Sequence, residues 1–434
     1  MKRIILSIII LLAYNLGQAQ QLNLSLYQCR EMALENSENL KIAIYQNEQA
    51  EAEKKVAWSG YFPNISASAM YNYSKGKIEI ADNYIFAQMP QNFVMDLGEG
   101  PGMYMLGASL QQPIYTGGKV VYGNKMANKG IEISEENIIL SRSDVIAEAE
   151  KAYWHFFLVK DKIKLIEQYN LLLDSLNQNI LAFINADMAT QNDQLKITSR
   201  QSNIQYEKQR TETMQEICRM QLCNIIGIDL NTEIVLTDSI NIPNMEPFLN
   251  IYDVTQRPEY KILQKQVEMK EINVKLVRAD YLPTIGLMAG YNYLDGLKFS
   301  GTKLSMSLPS VMLSASIPIF SFGQGKNKIK SAKFAYNIQQ QELEKNRKLM
   351  DIEAKNIERG LQDAFKLIYT AEIALEQSSA NLELITNRYE HHFATIIDVL
   401  DAQTQWQEAY SNLIDAQVSY KIKEIDYLKV FGKL

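Results

Sequence analysis

Apolar positions spaced alternately three and four residues apart run along two long stretches of the chain. Such a seam is typical of coiled-coil helices, and it continues here well beyond three or four heptads. The segments from about 119 to 183 and from about 326 to 389 contain no proline and are each predicted to form one unbroken helix. At about 1.5 Å per residue, each would approach 100 Å, far longer than helices of globular proteins. Shorter helices are predicted over about 26–59, 192–226, 254–280 and 396–431.

The spacing of apolar residues changes after two tyrosine-proline motifs, Tyr61-Phe62-Pro63 and Tyr281-Leu282-Pro283. Apolar residues there alternate with small or polar ones over about ten positions, which is typical of transmembrane β-strands. Four strands are predicted, at about 64–74, 105–115, 284–293 and 311–320. An aromatic girdle is predicted at the far strand ends, formed by Tyr71, Tyr73, Tyr291 and Tyr293. The alternation alone is also compatible with a half-buried sheet in a soluble protein.

The chain contains an internal duplication. The tyrosine-proline motif recurs, and a downstream group of residues recurs as well, with Thr190 and Asp193 returning as Thr395 and Asp398. Each half is therefore one structural unit. We predict a first repeat over 20–227, a linker over 228–251 that wraps the outside, and a second repeat over 252–434. Each repeat is predicted to contain, in order, one helix, two strands and two helices.

Four strands cannot close a barrel, and a sheet edge exposed to lipid would leave backbone groups without hydrogen bonds. The chain must therefore oligomerise in order to reside in a membrane. Two copies would supply eight strands and three would supply twelve. Long helices are attached to every strand, so the barrel must be wide enough for a ring of these helices to continue it. This favours the larger ring, and we predict a homotrimer with a twelve-strand barrel continued by a coiled-coil tunnel.

The N-terminus carries the three parts of a secretory signal peptide, predicted over residues 1–19. Its apolar run from Ile4 to Ala13 is shorter than the ~20 residues that a spanning helix requires. The three cysteines do not form a disulfide framework, and the pair His391-His392 lacks a cluster of further metal ligands. The net charge of −6 argues against a nucleic-acid partner. No phosphate-binding loop, metal-ligand motif or nucleophile elbow is present, so neither an enzyme nor a cofactor is predicted.

Taken together, the duplicated helix–proline–strand junctions, the Arg257-Pro258-Glu259 start of the second half and the segment from Thr395 to Ala402 resemble the TolC-like outer membrane efflux proteins. The resemblance covers nearly all of the mature chain. It implies an outer membrane exit duct with its helical tunnel in the periplasm. It also implies a periplasmic adaptor (membrane fusion) protein and an inner-membrane pump as partners, besides outer membrane lipid. The substrate, whether drug, metal ion or polypeptide, and the class of pump stay open.

The resemblance further implies where the gate lies. Asp398 and Asp401 would line the closed periplasmic end, and Tyr389 would hydrogen-bond Asp193 of a neighbouring hairpin. The family's gate arginine and turn glycine are replaced here by Ala394 and His392, so the locking network must differ.

Helix capping is a simpler role for two of the residues assigned to the gate. The spacing from Thr190 to Asp193 and from Thr395 to Asp398 is that of a capping box, so both aspartates are also expected to cap helices. Asp401 has no capping role, and its counterpart in the first repeat is Lys196. For the whole chain, the competing function is a structural or adhesive coiled-coil spacer without channel activity.

Overall fold

The computed structural model describes residues 21–73, 77–80, 93–96, 102–243, 252–299 and 302–434. The predicted signal peptide lies outside the described residues, as do the last part of the predicted linker and most of the first inter-strand connection. Within the described residues, no helix combines the length and the hydropathy needed to cross a membrane.

Seven helices and eight strands make up the described chain. The helices are α1 (Leu26–Asn36), α2 (Glu38–Ser59), α3 (Lys119–Asn185), α4 (Gln191–Ile226), α5 (Pro258–Ala279), α6 (Gln324–Glu390) and α7 (Ile396–Val430). The strands are β1 (Leu22–Leu24), β2 (Asn64–Asn72), β3 (Lys77–Ile80), β4 (Phe93–Asp96), β5 (Met103–Thr116), β6 (Ile234–Leu236), β7 (Thr284–Phe299) and β8 (Thr302–Ser316).

The two long helices are confirmed. α3 and α6 each contain 67 residues, and each is followed by a helix about half as long. The predicted helix over 26–59 is in fact two helices, which meet at Ser37. The Ser37 hydroxyl accepts a hydrogen bond from the Leu40 amide at 3.2 Å, so a second helix starts there. The predicted helix over 254–280 begins as a short 3₁₀ turn and becomes α-helical at Pro258, a residue suited to the first helical position.

The strand predictions need three corrections. The described residues form four long strands and four short ones, β1, β3, β4 and β6, and the short strands were not predicted. β7 continues to Phe299 and β8 begins at Thr302, so most of the stretch between the predicted strands 284–293 and 311–320 is itself strand. β8 ends at Ser316, because Pro318 follows; the predicted strand to 320 is wrong at that end. Part of the predicted linker forms β6, which pairs with β1 in parallel.

The chain folds into two compact units, each assembled from separate stretches of sequence. The first unit consists of residues 1–45, 135–262 and 344–434. Its largest apolar core joins the N-terminal segment, α3, α4 and α7 through fully buried side chains such as Leu24, Tyr153 and Leu222. Lysine–aspartate pairs also connect α3 to α7, among them Lys162 with Asp415 at 2.8 Å and Lys151 with Asp426 at 2.5 Å.

The second unit, residues 46–134 and 263–343, contains the sheet. Its long strands are antiparallel in the order β2–β5–β7–β8, and β4 and β3 extend the far end of β7. One side of this sheet, the apolar face, carries exposed aliphatic side chains such as Val311 and Leu313, which are 77% and 67% exposed. The opposite side, the polar face, is defined by cross-strand rows such as Ser66, Ser109, Gly290 and Ser310.

Candidate functional site

The hairpin tips, where α3 turns into α4 and α6 turns into α7, lie in the first unit and have the same local geometry. In each turn one residue other than glycine has a left-handed backbone, Asp187 at φ 58° and His392 at φ 61°. The amide of the next residue donates back to a helix carbonyl at 2.8 Å, Met188 to Phe183 and Phe393 to Arg388. His392 thus holds the left-handed position that glycine takes most easily.

Both α4 and α7 begin with the predicted capping box. The Asp193 carboxylate accepts hydrogen bonds from the Thr190 hydroxyl at 2.7 Å and the Thr190 amide at 3.3 Å. The Asp398 carboxylate accepts from the Thr395 hydroxyl and amide, both at 2.7 Å. These bonds favour the ionised form and lower the pKa of both aspartates.

Next to the capping boxes, the two tips differ in the charge of one matching residue. In the first repeat, Lys196 lies 3.2 Å from Asp193 and compensates its charge. The matching residue in the second repeat is Asp401, which lies on the same exposed side of α7 as Asp398. Among the described residues, neither Asp398 nor Asp401 takes part in an ion pair. The second tip therefore presents two uncompensated carboxylates to solvent.

Tyr389 lies in the apolar cluster that packs the two hairpins together. It is 8% exposed, and its neighbours include Ile180, Ile197 and Val399. Burial raises the pKa of Tyr389, and the nearby negative charge of Asp193 raises it further. The structure thus brings Tyr389 and Asp193 near one another within one chain. The hydrogen bonds of the Asp193 carboxylate, however, go to Thr190 and Lys196.

Arg200 was not identified from the sequence. From α4 its guanidinium donates to the Tyr169 hydroxyl at 2.9 Å and to the Thr404 hydroxyl of α7 at 2.7 Å, so it connects the two hairpins. The guanidinium carbon also lies 5.7 Å from the Tyr169 ring centroid, within cation–π range. Only the three-dimensional pairing of helices reveals this contact, since Arg200 and Thr404 are 204 residues apart.

The tyrosines predicted as a girdle lie in the second unit. Tyr71 and Tyr291 are exposed, and their hydroxyls bond to the Gly102 amide and to Ser307, both at 3.1 Å. Tyr73 is exposed just beyond the end of β2. Tyr104, which was not predicted, pairs with Tyr71 across the strands, and its ring centroid lies 6.4 Å from that of Tyr293. Because β7 continues to Phe299, Tyr291 and Tyr293 lie within this strand and not at its far end, so that part of the prediction is wrong.

Within the described part of the chain, no group of three or more His, Cys, Asp or Glu side chains is placed to hold a metal ion. The three cysteines are free. A sheet with one exposed apolar face and one polar face, in a chain that also has two helices of 67 residues, is typical of outer membrane proteins that combine barrel strands with long helices.

The family follows from comparison with known proteins. The family model described as "Outer membrane efflux protein" matches residues 29–174 and 255–432, so both repeats are included. The chain belongs to the outer membrane efflux protein family and is an outer membrane protein.

Individual relatives are distant. Outer membrane protein TolC of Vibrio cholerae is 23% identical over 172 residues, covering 37% of this chain and only 38% of that protein. The probable outer membrane lipoprotein SilC of Salmonella typhimurium is 22% identical over 429 positions, covering 92% of this chain and 84% of SilC. The solved outer membrane channel CmeC of Campylobacter jejuni has a TM-score of 0.78 at 17% identity, covering 94% of this chain and 85% of CmeC. The likeness to CmeC concerns the fold.

Proposed function

We propose that this protein is the outer membrane exit duct of a tripartite efflux or secretion system. Three copies would form a twelve-strand barrel continued by a helical tunnel into the periplasm. An inner-membrane pump would deliver the substrate, and a periplasmic adaptor protein would join the pump to the duct. Outer membrane lipid would surround the barrel.

One observation carries this proposal. The sheet of the second unit exposes an apolar face, and among the described strands β2 and β8 each pair on one side only. In hydrocarbon, unpaired strand edges cost several kcal/mol for each backbone group. Further copies of the same sheet would satisfy both edges and would place the polar face toward a water-filled lumen.

The tip of the second repeat is proposed as the gate. Asp398 and Asp401 are exposed carboxylates without an ion-pair partner among the described residues, so copies of them around an axis would attract cations and repel one another. The Tyr389 cluster and Asp193 would hold the two hairpins against each other in the closed state. The hydrogen bond from Arg200 to Thr404 would supply a second connection between the two hairpins. It would contribute to closing the gate in this chain, where Ala394 stands in place of the family's arginine.

Sedimentation in mild detergent and conductance in planar bilayers test the proposal. We expect a particle of three chains, each of 49.6 kDa including the predicted signal peptide, and discrete conductance steps. A monomer, or a trimer that never conducts, would instead favour the coiled-coil spacer.

A further inference from the structure

Methionine is distributed unequally between the two sides of the sheet. The strand register places every methionine of the four long strands on the polar face: Met70, Met103, Met105, Met288, Met306 and Met312. The apolar face consists mainly of leucine, isoleucine, valine, alanine and tyrosine, with Gln112 and Ser307 as polar exceptions. If methionine served only as a hydrophobic residue in this sheet, it would be expected on that apolar face.

Packing does not account for these side chains. Met70 and Met312 are 55% and 52% exposed, and their neighbours on the polar face are mainly serine, asparagine, glycine and glutamine. A flexible thioether on such a surface fills no core. It does offer a soft, uncharged sulfur ligand to whatever passes over the face.

Two cross-strand pairs bring thioethers together. Met70 is the register partner of Met105, and Met288 is the register partner of Met312. Directly opposed residues have Cβ atoms about 4.5–5.5 Å apart, so the three rotatable bonds of each side chain allow both sulfurs to reach one ion. The Gln111 side-chain amide donates to the Met288 sulfur at 3.6 Å and orients it.

The surroundings favour reversible binding. Over residues 64–72, 103–112, 284–294 and 306–316, the polar face carries no Asp, Glu, Lys or Arg. Hard cations, which prefer oxygen ligands and carboxylates above all, find no charged ligand there. A cavity of about 680 Å³ reaches this face, and Asn64, Gln111 and Met288 are among its lining residues. Conduction requires binding that is weak enough for release, which neutral ligands provide.

We propose that the thioether pairs Met70–Met105 and Met288–Met312 bind soft monovalent cations, copper(I) or silver(I), during their passage. The inference deepens the proposed function, because the polar face meets a substrate only if it lines the duct. Its substrate class is a soft metal ion. An apolar organic molecule would instead be expected to contact aliphatic and aromatic side chains, and over the residue ranges given above the polar face has only Leu294 and Leu308 of these types.

Silver binding to the full-length protein in mild detergent tests the inference. Equilibrium dialysis against silver nitrate, in chloride-free buffer, would compare the parent with Met288→Leu/Met312→Leu and Met70→Leu/Met105→Leu. Leucine keeps the apolar bulk and removes the sulfur. The exposed α4 methionines supply the matched control, Met214→Leu/Met220→Leu. Every sample would carry Cys218→Ser, so that this half-buried thiol contributes nothing.

We expect each strand double variant to lose about one silver ion per chain, or at least tenfold in affinity, and the α4 control to behave like the parent. Unchanged silver binding after Met70, Met105, Met288 and Met312 are all replaced by leucine would overturn the inference, as would an equal loss in the control. In a second outcome, the parent protein takes up no silver but binds the apolar fluorescent dye anilinonaphthalene sulfonate. That result would assign the polar face to organic substrates instead. Potassium nitrate conductance of the same samples tests the duct separately, because it does not depend on thioethers.

Discussion

Replacing Arg200 with methionine should increase the resting conductance of the channel. The change keeps most of the aliphatic stem and removes the guanidinium that donates to Tyr169 and Thr404. If the bond to Thr404 exists only while the hairpins are closed together, its loss destabilises the closed state alone. The open population must then rise.

The size of the effect follows from the contact. A hydrogen bond from a charged group contributes about 1.5–3 kcal/mol, and the partial exposure of Arg200 reduces this to about 1–2 kcal/mol. A difference of about 1–2 kcal/mol changes a two-state ratio about 5- to 30-fold. We therefore expect a clear rise in the open fraction when the closed state is favoured by only a few kcal/mol.

Single-channel recording in planar bilayers is the assay. Arg210→Met is the matched control, because Arg210 is an exposed arginine on the same helix without a hydrogen bond or ion pair among the described residues. Thr404→Val removes the partner hydroxyl at nearly constant volume and should act in the same direction. The double variant with Arg200→Met should add little to either single change, since both break one contact.

The reasoning would be refuted by wild-type resting conductance in Arg200→Met. A lower thermal stability in that variant, with gating unchanged, would leave Arg200 as a packing residue only. Effects of Arg200→Met and Thr404→Val that simply add would show that the two residues act through different contacts.

Three further predictions concern the tip and the sheet. Asp398→Asn/Asp401→Asn should lower cation-over-anion selectivity, measured from reversal potentials in a salt gradient; unchanged selectivity would place both residues outside the pore. Leu287→Arg, on the apolar face, should cost on the order of 2–4 kcal/mol per chain and reduce trimer yield on sedimentation, whereas Ser66→Arg on the polar face should assemble normally. The bonds from Thr395 lower the pKa of Asp398, so their stabilisation is complete above its unfolded pKa of about 4 and is lost as the pH falls through the lower folded value. Protection factors of the amides at the start of α7, which correct for the intrinsic exchange rate at each pH, should therefore fall only in that acidic range.

The sequence predicted well those elements that have strong periodicity. α3 and α6 were identified because their heptad seams extend over many turns without proline. The far ends of β7 and β8 were missed for two physical reasons. A bulge between Leu294 and Leu297, with Gly296 in a left-handed conformation, breaks the alternation. Pro309 also lies in the part of β8 that was missed; proline is rare in central strands, but an edge strand such as β8 tolerates it.

The tip shows the same division between local and long-range information. The capping boxes at Thr190 and Thr395 depend on neighbours three residues away and were predicted correctly. The contact from Arg200 to Thr404 depends on how two helices pack, which no local pattern specifies. The roles of Asp398 and Asp401 in a pore depend on other copies of the chain and stay predictions.

The pairing of β1 with β6 bears on the order in which the protein folds after export. The Leu26 amide donates to the Asp238 carboxylate at 2.6 Å, across a separation of 212 residues, and closing such a loop costs on the order of 5 kcal/mol of chain entropy. Both partners nevertheless lie within the first 238 residues. A chain that emerges from the translocation machinery N-terminus first can therefore join these ends while the second repeat is still being exported. Folding of the first repeat can then begin during export, before α6 and α7 are available to pack against α3 and α4.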